Sequence, residues 1–180
     1  MIRLQLFNFI PSKSNSLITP STSEEHLAIT ATLAHKIWNQ HYMPIIGKAQ
    51  VDYMIDKFQN MKAFKKQIED GYLYYLISKD DVYCGYLALV PDVPNEKLMI
   101  SKIYIDADFR GSGLGLELLK FAEDEAVKLD LTVLWLTVNK NNSNSIEWYK
   151  KQGFRIVKPV QFDIGNGFIM DDFIMEKSLS

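Results

Sequence analysis

Between Phe109 and Phe121 the chain reads FRGSGLGLELLKF: an arginine, glycines at 111, 113 and 115, and then at once an apolar-periodic segment. That order of residue types suits an anion. A helix start carries unpaired N–H donors and about half a positive charge, and glycine lets a ligand reach the backbone with no side chain in the way. Arg110 adds a fixed cation at the rim. Two nucleotide fingerprints fail on spacing. A Walker A loop needs a lysine followed by serine or threonine at the helix entrance, and the dinucleotide pattern GxGxxG would need glycine where Leu116 or Leu118 stands. The pattern matched is RxxGxG, filled by Arg110, Gly113 and Gly115. Alone, so short a motif divides about evenly between an anion cradle and a tight strand-to-helix turn.

A second segment, 133-VLWLTVNKNNSNSIEWYKKQGF-154, joins an apolar strand to an asparagine-rich loop and a short helix carrying Tyr149. Asn142 stands seven residues before Tyr149, and Gly153-Phe154 four residues after it. Together and in this order, the two segments resemble the GCN5-related N-acetyltransferase (GNAT) superfamily, which transfers acetyl from acetyl-coenzyme A to amines. The resemblance covers about residues 72 to 178. It implies an α+β, three-layer fold: a curved mixed sheet with helices on its faces and a splayed central strand pair, 97–105 and 131–138. It also implies that main-chain groups of Ile103, Tyr104 and Ile105 pair with the pantetheine arm. The N–H groups of Arg110, Gly111, Ser112, Gly113, Leu114 and Gly115 would hold the pyrophosphate, Asn142 would contact the coenzyme, and Tyr149 would sit near its sulfur. Acetyl-CoA is the expected acyl donor, and no metal is expected.

The chemistry sets its own requirements. The attacking amine must be neutral, the developing oxyanion needs a donor, and the departing thiolate needs a proton. Tyr149, with an ordinary pKa of about 10, stays protonated at neutral pH and suits the last role; the competing reading is a core aromatic packed on Trp148 and Phe154. The base is less apparent. Many members of the superfamily place a glutamate on the strand before the glycine loop, but here that strand reads SKIYI, with Lys102 near the position. Asp92, Glu96, Glu69 and Asp70, reached through water, and His26, His35 or His41 are the alternatives; for each a surface role outweighs a catalytic one, and His41 is the best histidine.

The elements that must position these residues follow from periodicity. Residues 2–10 (IRLQLFNFI) alternate as a half-buried strand. From Ser23, a capping residue before Glu24 and Glu25, the helical spacing of Leu27, Ala31, Ala34 and Trp38 predicts a first helix, ended by Pro44 and Gly47. Val51, Met54, Ile55, Phe58 and Met61 predict one further helix over 48–71. Apolar runs at 72–78 and 82–90 around Lys79-Asp80-Asp81 read as a hairpin, interrupted by Pro91 and Pro94 before the strand at 97–105. A helix over 113–129, a strand over 131–138, a short helix over 142–154 and a hairpin about Gly165-Asn166-Gly167 complete the chain.

Composition narrows the classes. At 180 residues the expectation is a single domain over 1–180. A net charge of −2 gives no basic field for nucleic acid, and no window reaches the roughly 18 apolar residues of a membrane span. Cys84 is the only cysteine, so no internal disulfide or CxxC metal framework exists; with no signal-peptide pattern, a cytoplasmic chain is expected. The half around WNQHYMPIIGKAQVDYMIDKF (38–58) is similar to polyamine acetyltransferases, and Trp38, Tyr42, Tyr53 and Phe58 could line a cleft for an alkylamine. The expected acceptor is a polyamine or other small primary amine. The alternatives are a protein N-terminus or lysine and, outside enzymes, a catalytically weak acyl-CoA-binding module. A homodimer through the apolar C-terminal hairpin 167-GFIMDDFIM-175 is expected.

Overall fold

A computed structural model describes residues 15–179, so the strand expected at 2–10 lies outside the described residues. Strand β1 (Ser16–Pro20) opens them; the sequence reading did not anticipate it. Helix α1 (Glu24–His41) begins as expected, with the Ser23 hydroxyl accepting from the His26 N–H at 3.1 Å. A short helix α2 (Met43–Ile46) carries Pro44 in its first turn and stops at Gly47, whose φ is +79°. The single helix expected over 48–71 is two, α3 (Lys48–Phe58) and α4 (Met61–Glu69). The break falls at Asn60, whose backbone is extended and whose side chain accepts from the Ala63 N–H at 2.9 Å. Asparagine competes for its neighbours' donors, so it starts a new helix more readily than it continues one.

Strands β2 (Leu73–Lys79) and β3 (Val82–Asp92) form the expected hairpin, with Asp80 and Asp81 both at positive φ in its two-residue turn. Contrary to expectation, Pro91 does not end β3. It pairs with Leu98 beyond Leu89, the last β3 residue that β2 reaches, where a missing donor costs no β2 bond. Strand β4 (Lys97–Ile105), α5 (Leu114–Lys128), β5 (Val133–Asn139), α6 (Ser143–Lys151), β6 (Arg155–Gly165) and β7 (Phe168–Ser178) follow the predicted order.

The described strands form one seven-stranded sheet in the order β1-β2-β3-β4-β5-β7-β6. All neighbours are antiparallel except β4 and β5. The segment 167–175, expected to form an edge, is therefore interior; β6 is the outer strand. Side chains alternate between two cores. On one face Leu87, Leu89, Leu98 and Ile100 pack against α5 and α6 through Leu118, Ala122 and Ile146. On the other Tyr74, Leu76, Tyr86 and Ala88 meet Ile37, Trp38, Met54 and Phe64 of α1, α3 and α4. Each buried Leu, Ile, Met or Phe among them contributes about 1.5–3 kcal/mol, which holds both helical layers to the sheet.

Two irregularities in the middle of the sheet shape the molecule. Strands β4 and β5 pair only over Lys97–Val133, Leu98–Leu134 and Met99–Trp135, and then diverge. At the same point β4 bulges: Ile100 pairs with Leu89 and Lys102 with Ala88, leaving Ser101 as the extra residue. The bulge shifts the alternation by one, so Lys102 and Tyr104 join the α1/α3/α4 face instead of following Leu98 and Ile100 toward α5.

Candidate active site

The divergence leaves the β5-facing edge of β4 without a partner from Ile100 to Ile105. Beside it opens a cleft of about 690 Å³. Helix α5 points its start into this cleft, and Gly113 at that start has φ +90° and no side-chain cap; the Leu116 N–H turns back to the Gly113 carbonyl at 2.9 Å, which leaves the N–H groups of Leu114 and Gly115 available to a ligand. Gly111 also has a positive φ, +75°, and a Cβ at either residue would stand in open space, so backbone conformation and not crowding requires glycine at both. Arg110 is tied down by its Nε donating to the Ile105 carbonyl at 3.0 Å. The preceding turn is anchored to α1: Lys36 bridges buried Asp106 at 2.5 Å and Asp108 at 2.8 Å, an anchor that spacing along the chain does not reveal.

Ile103, Tyr104, Ile105, Arg110, Gly111, Gly113, Leu114, Gly115, Asn142 and Tyr149 all line the cleft. Ser112 does not, because its hydroxyl turns back to the Phe109 carbonyl at 2.6 Å. Asn142 is buried; its Oδ1 accepts from the Ser145 N–H at 3.4 Å to start α6, and its Nδ2 lies 3.1 Å from His41 Nε2. His41 is thus on the cleft wall, where burial and the charge of Arg110 push its pKa down. Tyr149 packs edge-on to Trp148 at 5.1 Å and Phe154 at 5.6 Å, so packing and cleft exposure coexist in one side chain. Burial drives its hydroxyl pKa well up.

A second chamber, of about 300 Å³, lies on the α1/α3/α4 face of the splayed strands. Tyr42, Ser101, Tyr104, Thr137 and Val138 line both spaces and form the neck between them. The chamber wall mixes aromatic and apolar residues, including Trp38, Met54, Phe58 and Phe162, with polar ones such as Gln50, Gln59 and Asn139. Of the aromatic residues expected around an amine cleft, Tyr53 alone is elsewhere: its hydroxyl donates to the Ile164 carbonyl at 2.6 Å, and Lys57 joins it there. These bonds pin the β6–β7 hairpin over the chamber.

Two charged side chains face this space. Lys102 is 5% exposed, and burial lowers its pKa to about 7. Asp172, on β7, is 2% exposed, with one carboxylate oxygen lacking any hydrogen-bond partner among the described residues. Burial raises the Asp172 pKa to about 6, and Thr137 partly offsets the shift. The sequence reading missed Asp172, although a signal existed: adjacent residues of a strand face opposite ways, so one of the acids in FIMDDFIM must point inward. Asp171 takes the outer place, paired with Lys140. The candidate bases Glu69, Asp70 and Glu96 are exposed, Asp92 is half-buried, and none lines either space. His35 is exposed, and His26 is engaged with Pro20 and Tyr83.

The chain belongs to the acetyltransferase (GNAT) family, whose model matches residues 34–154. It is 33% identical over 115 residues to an uncharacterized N-acetyltransferase of Lactobacillus delbrueckii subsp. lactis, covering 61% of this chain and 66% of that one. It is also 27% identical over 93 residues to the [ribosomal protein bS18]-alanine N-acetyltransferase of Escherichia coli K12, covering 52% and 62%. Among relatives of this kind the matched part spans between 42% and 66% of their length. The crystal structure of PaiA N-acetyltransferase from Thermoplasma acidophilum, in complex with coenzyme A, shares the fold at a TM-score of 0.75 and 22% identity, covering 92% of this chain and 99% of that one. No described helix is long and apolar enough to cross a membrane.

Proposed function

We propose that this protein transfers the acetyl group of acetyl-CoA to a small primary amine by direct attack, with Tyr149 as general acid. One observation carries the reading: a cleft opening on bare helix amides meets a chamber of mixed aromatic and polar lining that holds a buried carboxylate with one unbonded oxygen, through a neck of five shared residues. A donor enters from one side and an acceptor from the other. The open helix start and the unpaired edge of β4 fit a pyrophosphate and an amide-bearing arm, and acetyl-CoA supplies an activated thioester at the neck.

The chain's own groups then have separable tasks. The amides of residues 111–115 and Arg110 neutralise the pyrophosphate, and the edge of β4 at Ile103 to Ile105 orients the arm. Asp172 takes a proton from the incoming ammonium, freeing the nitrogen lone pair to bond to the acyl carbon. Tyr149 supplies the proton that the sulfur needs as the carbon–sulfur bond breaks. Desolvation raises the pKa of a departing thiolate as it raises that of Tyr149, which keeps the transfer feasible although the phenol is a weak acid. The balance is an ammonium and a thioester converted to an amide, a thiol and one released proton.

Free thiol release from acetyl-CoA over an amine panel that includes spermidine, other small amines and a short peptide with a free N-terminal alanine tests this reading. The polyamine class comes from the sequence resemblance. The peptide represents a second reading, an N-terminal acetyltransferase, favoured by the similarity to the Escherichia coli bS18-alanine enzyme. Binding of acetyl-CoA without turnover on any amine would instead mark a non-catalytic coenzyme-binding module.

A further inference from the structure

The acceptor chamber holds two buried charges of opposite sign that do not neutralise one another. Neither Lys102 nor Asp172 makes an ion pair with a described residue. The Lys102 ammonium has three N–H donors. One goes to Gln67 Oε1 at 2.7 Å and another reaches Ser101 Oγ only at 3.5 Å. Gln67 Oε1 is already shared with the Tyr74 hydroxyl at 2.6 Å. The rings of Tyr72 and Tyr74, at 5.2 and 5.3 Å, favour a cation but accept no conventional hydrogen bond. A buried lysine left this way destabilises the fold, and an apolar residue of similar length would remove the penalty. No carboxylate among the described residues supplies its counter-charge. Asp172 poses the mirror-image case, with an unbonded carboxylate oxygen turned into the same space.

Both charges line the acceptor chamber and not the cleft, and each has a neighbour at the neck: Ser101 beside Lys102, and Thr137 on β5, the strand that pairs with the β7 segment carrying Asp172. We infer that the acceptor is a small amino acid-like molecule, its amine received at Asp172 and its carboxylate at Lys102. The inference rests on the acetyl-transfer reading and narrows it. A polyamine, cationic at both ends, would set an ammonium against Lys102, whereas an amino acid supplies both missing counter-ions at once.

The test separates binding from turnover. The full chain, saturated with coenzyme A, is titrated calorimetrically with phenylalanine, leucine and 4-aminobutyrate, with the primary amide and the decarboxylated amine of each, and with spermidine. Thiol release is measured in parallel with acetyl-CoA. At least one acid should bind tenfold or more tightly than its amide, and Lys102→Met should erase that preference while leaving the amide's affinity in place. Lys102→Gln serves as a second variant if the methionine form folds poorly. The inference is overturned if spermidine or the decarboxylated amines bind best, if no acid binds, or if Lys102→Met weakens acid and amide alike. Preferential binding of acids with no thiol released on any amine would leave the inference standing and refute acetyl transfer.

Discussion

The two chambers that meet at Tyr42, Ser101, Tyr104, Thr137 and Val138 are built on opposite principles. The donor cleft is made of backbone: the open amides at the start of α5 and the unpaired edge of β4, kept accessible by glycine at 111 and 113. The acceptor chamber is made of side chains from α1, α3, α4, β4, β5, β6 and β7. Backbone groups read a ligand part that never changes, whereas side chains can be exchanged without disturbing the sheet. The same contrast appears in energetics. The donor cleft stores its binding capacity in unsatisfied helix donors near solvent, at little cost. The acceptor chamber keeps Lys102 and Asp172 buried in its wall, where desolvation opposes their charged forms and costs stability.

Variants that act on one chamber should leave the other intact. The largest effect is expected at the cleft wall: Tyr149→Phe should lower kcat about a hundredfold or more, with acetyl-CoA affinity near normal by calorimetry. Unchanged turnover would return Tyr149 to a packing role.

Asp172→Asn should lower kcat/KM for the acceptor by roughly tenfold to a hundredfold or more, with acetyl-CoA affinity unaltered. In the native protein kcat/KM should fall as pH drops through about 6, and the variant should lose that limb. Stability should move the opposite way. Because the folded Asp172 pKa lies above its unfolded value, the carboxylate costs stability once pH rises through this window. Asp172→Asn should therefore melt higher above pH 6, by up to about 3 kcal/mol, and show no gain below about pH 4. A variant that melts lower at pH 8 would contradict this account.

Gly113→Ala probes the donor cleft. A side chain at φ +90° costs about 1–2 kcal/mol, so acetyl-CoA affinity should weaken by roughly tenfold while acceptor affinity holds. The smallest effect is expected at Asn60→Ala, which removes the cap of α4 behind Gln67. Stability should fall by about 1 kcal/mol in urea unfolding, and acceptor affinity should drift with it through the displaced Gln67.

Legibility followed the same division. RxxGxG and the spacing from Asn142 to Tyr149 could be read along the chain because each lies within one strand-loop-helix unit, where a few residues dictate backbone geometry. The hairpins were equally readable: Asp80-Asp81 and Gly165-Asn166-Gly167 occupy conformations that suit those residue types. The split between α3 and α4 escaped because the apolar spacing of Ile55, Phe58 and Met61 runs through Asn60, and periodicity outweighed a cap signal in the middle of a helical pattern. The face of Lys102 escaped because it depends on the bulge at Ser101, which only pairing with β3 reveals.

By itself, then, the amino-acid sequence determined the family and the order of elements from β2 onward, since these depend on contacts between near neighbours in the chain. Only the tertiary structure decided that β4 and β5 part after Met99 and Trp135, and that Lys102 and Asp172, seventy residues apart, face one chamber. Such a juxtaposition is set by how twisted strands and packed helices close on one another, and no local pattern encodes it.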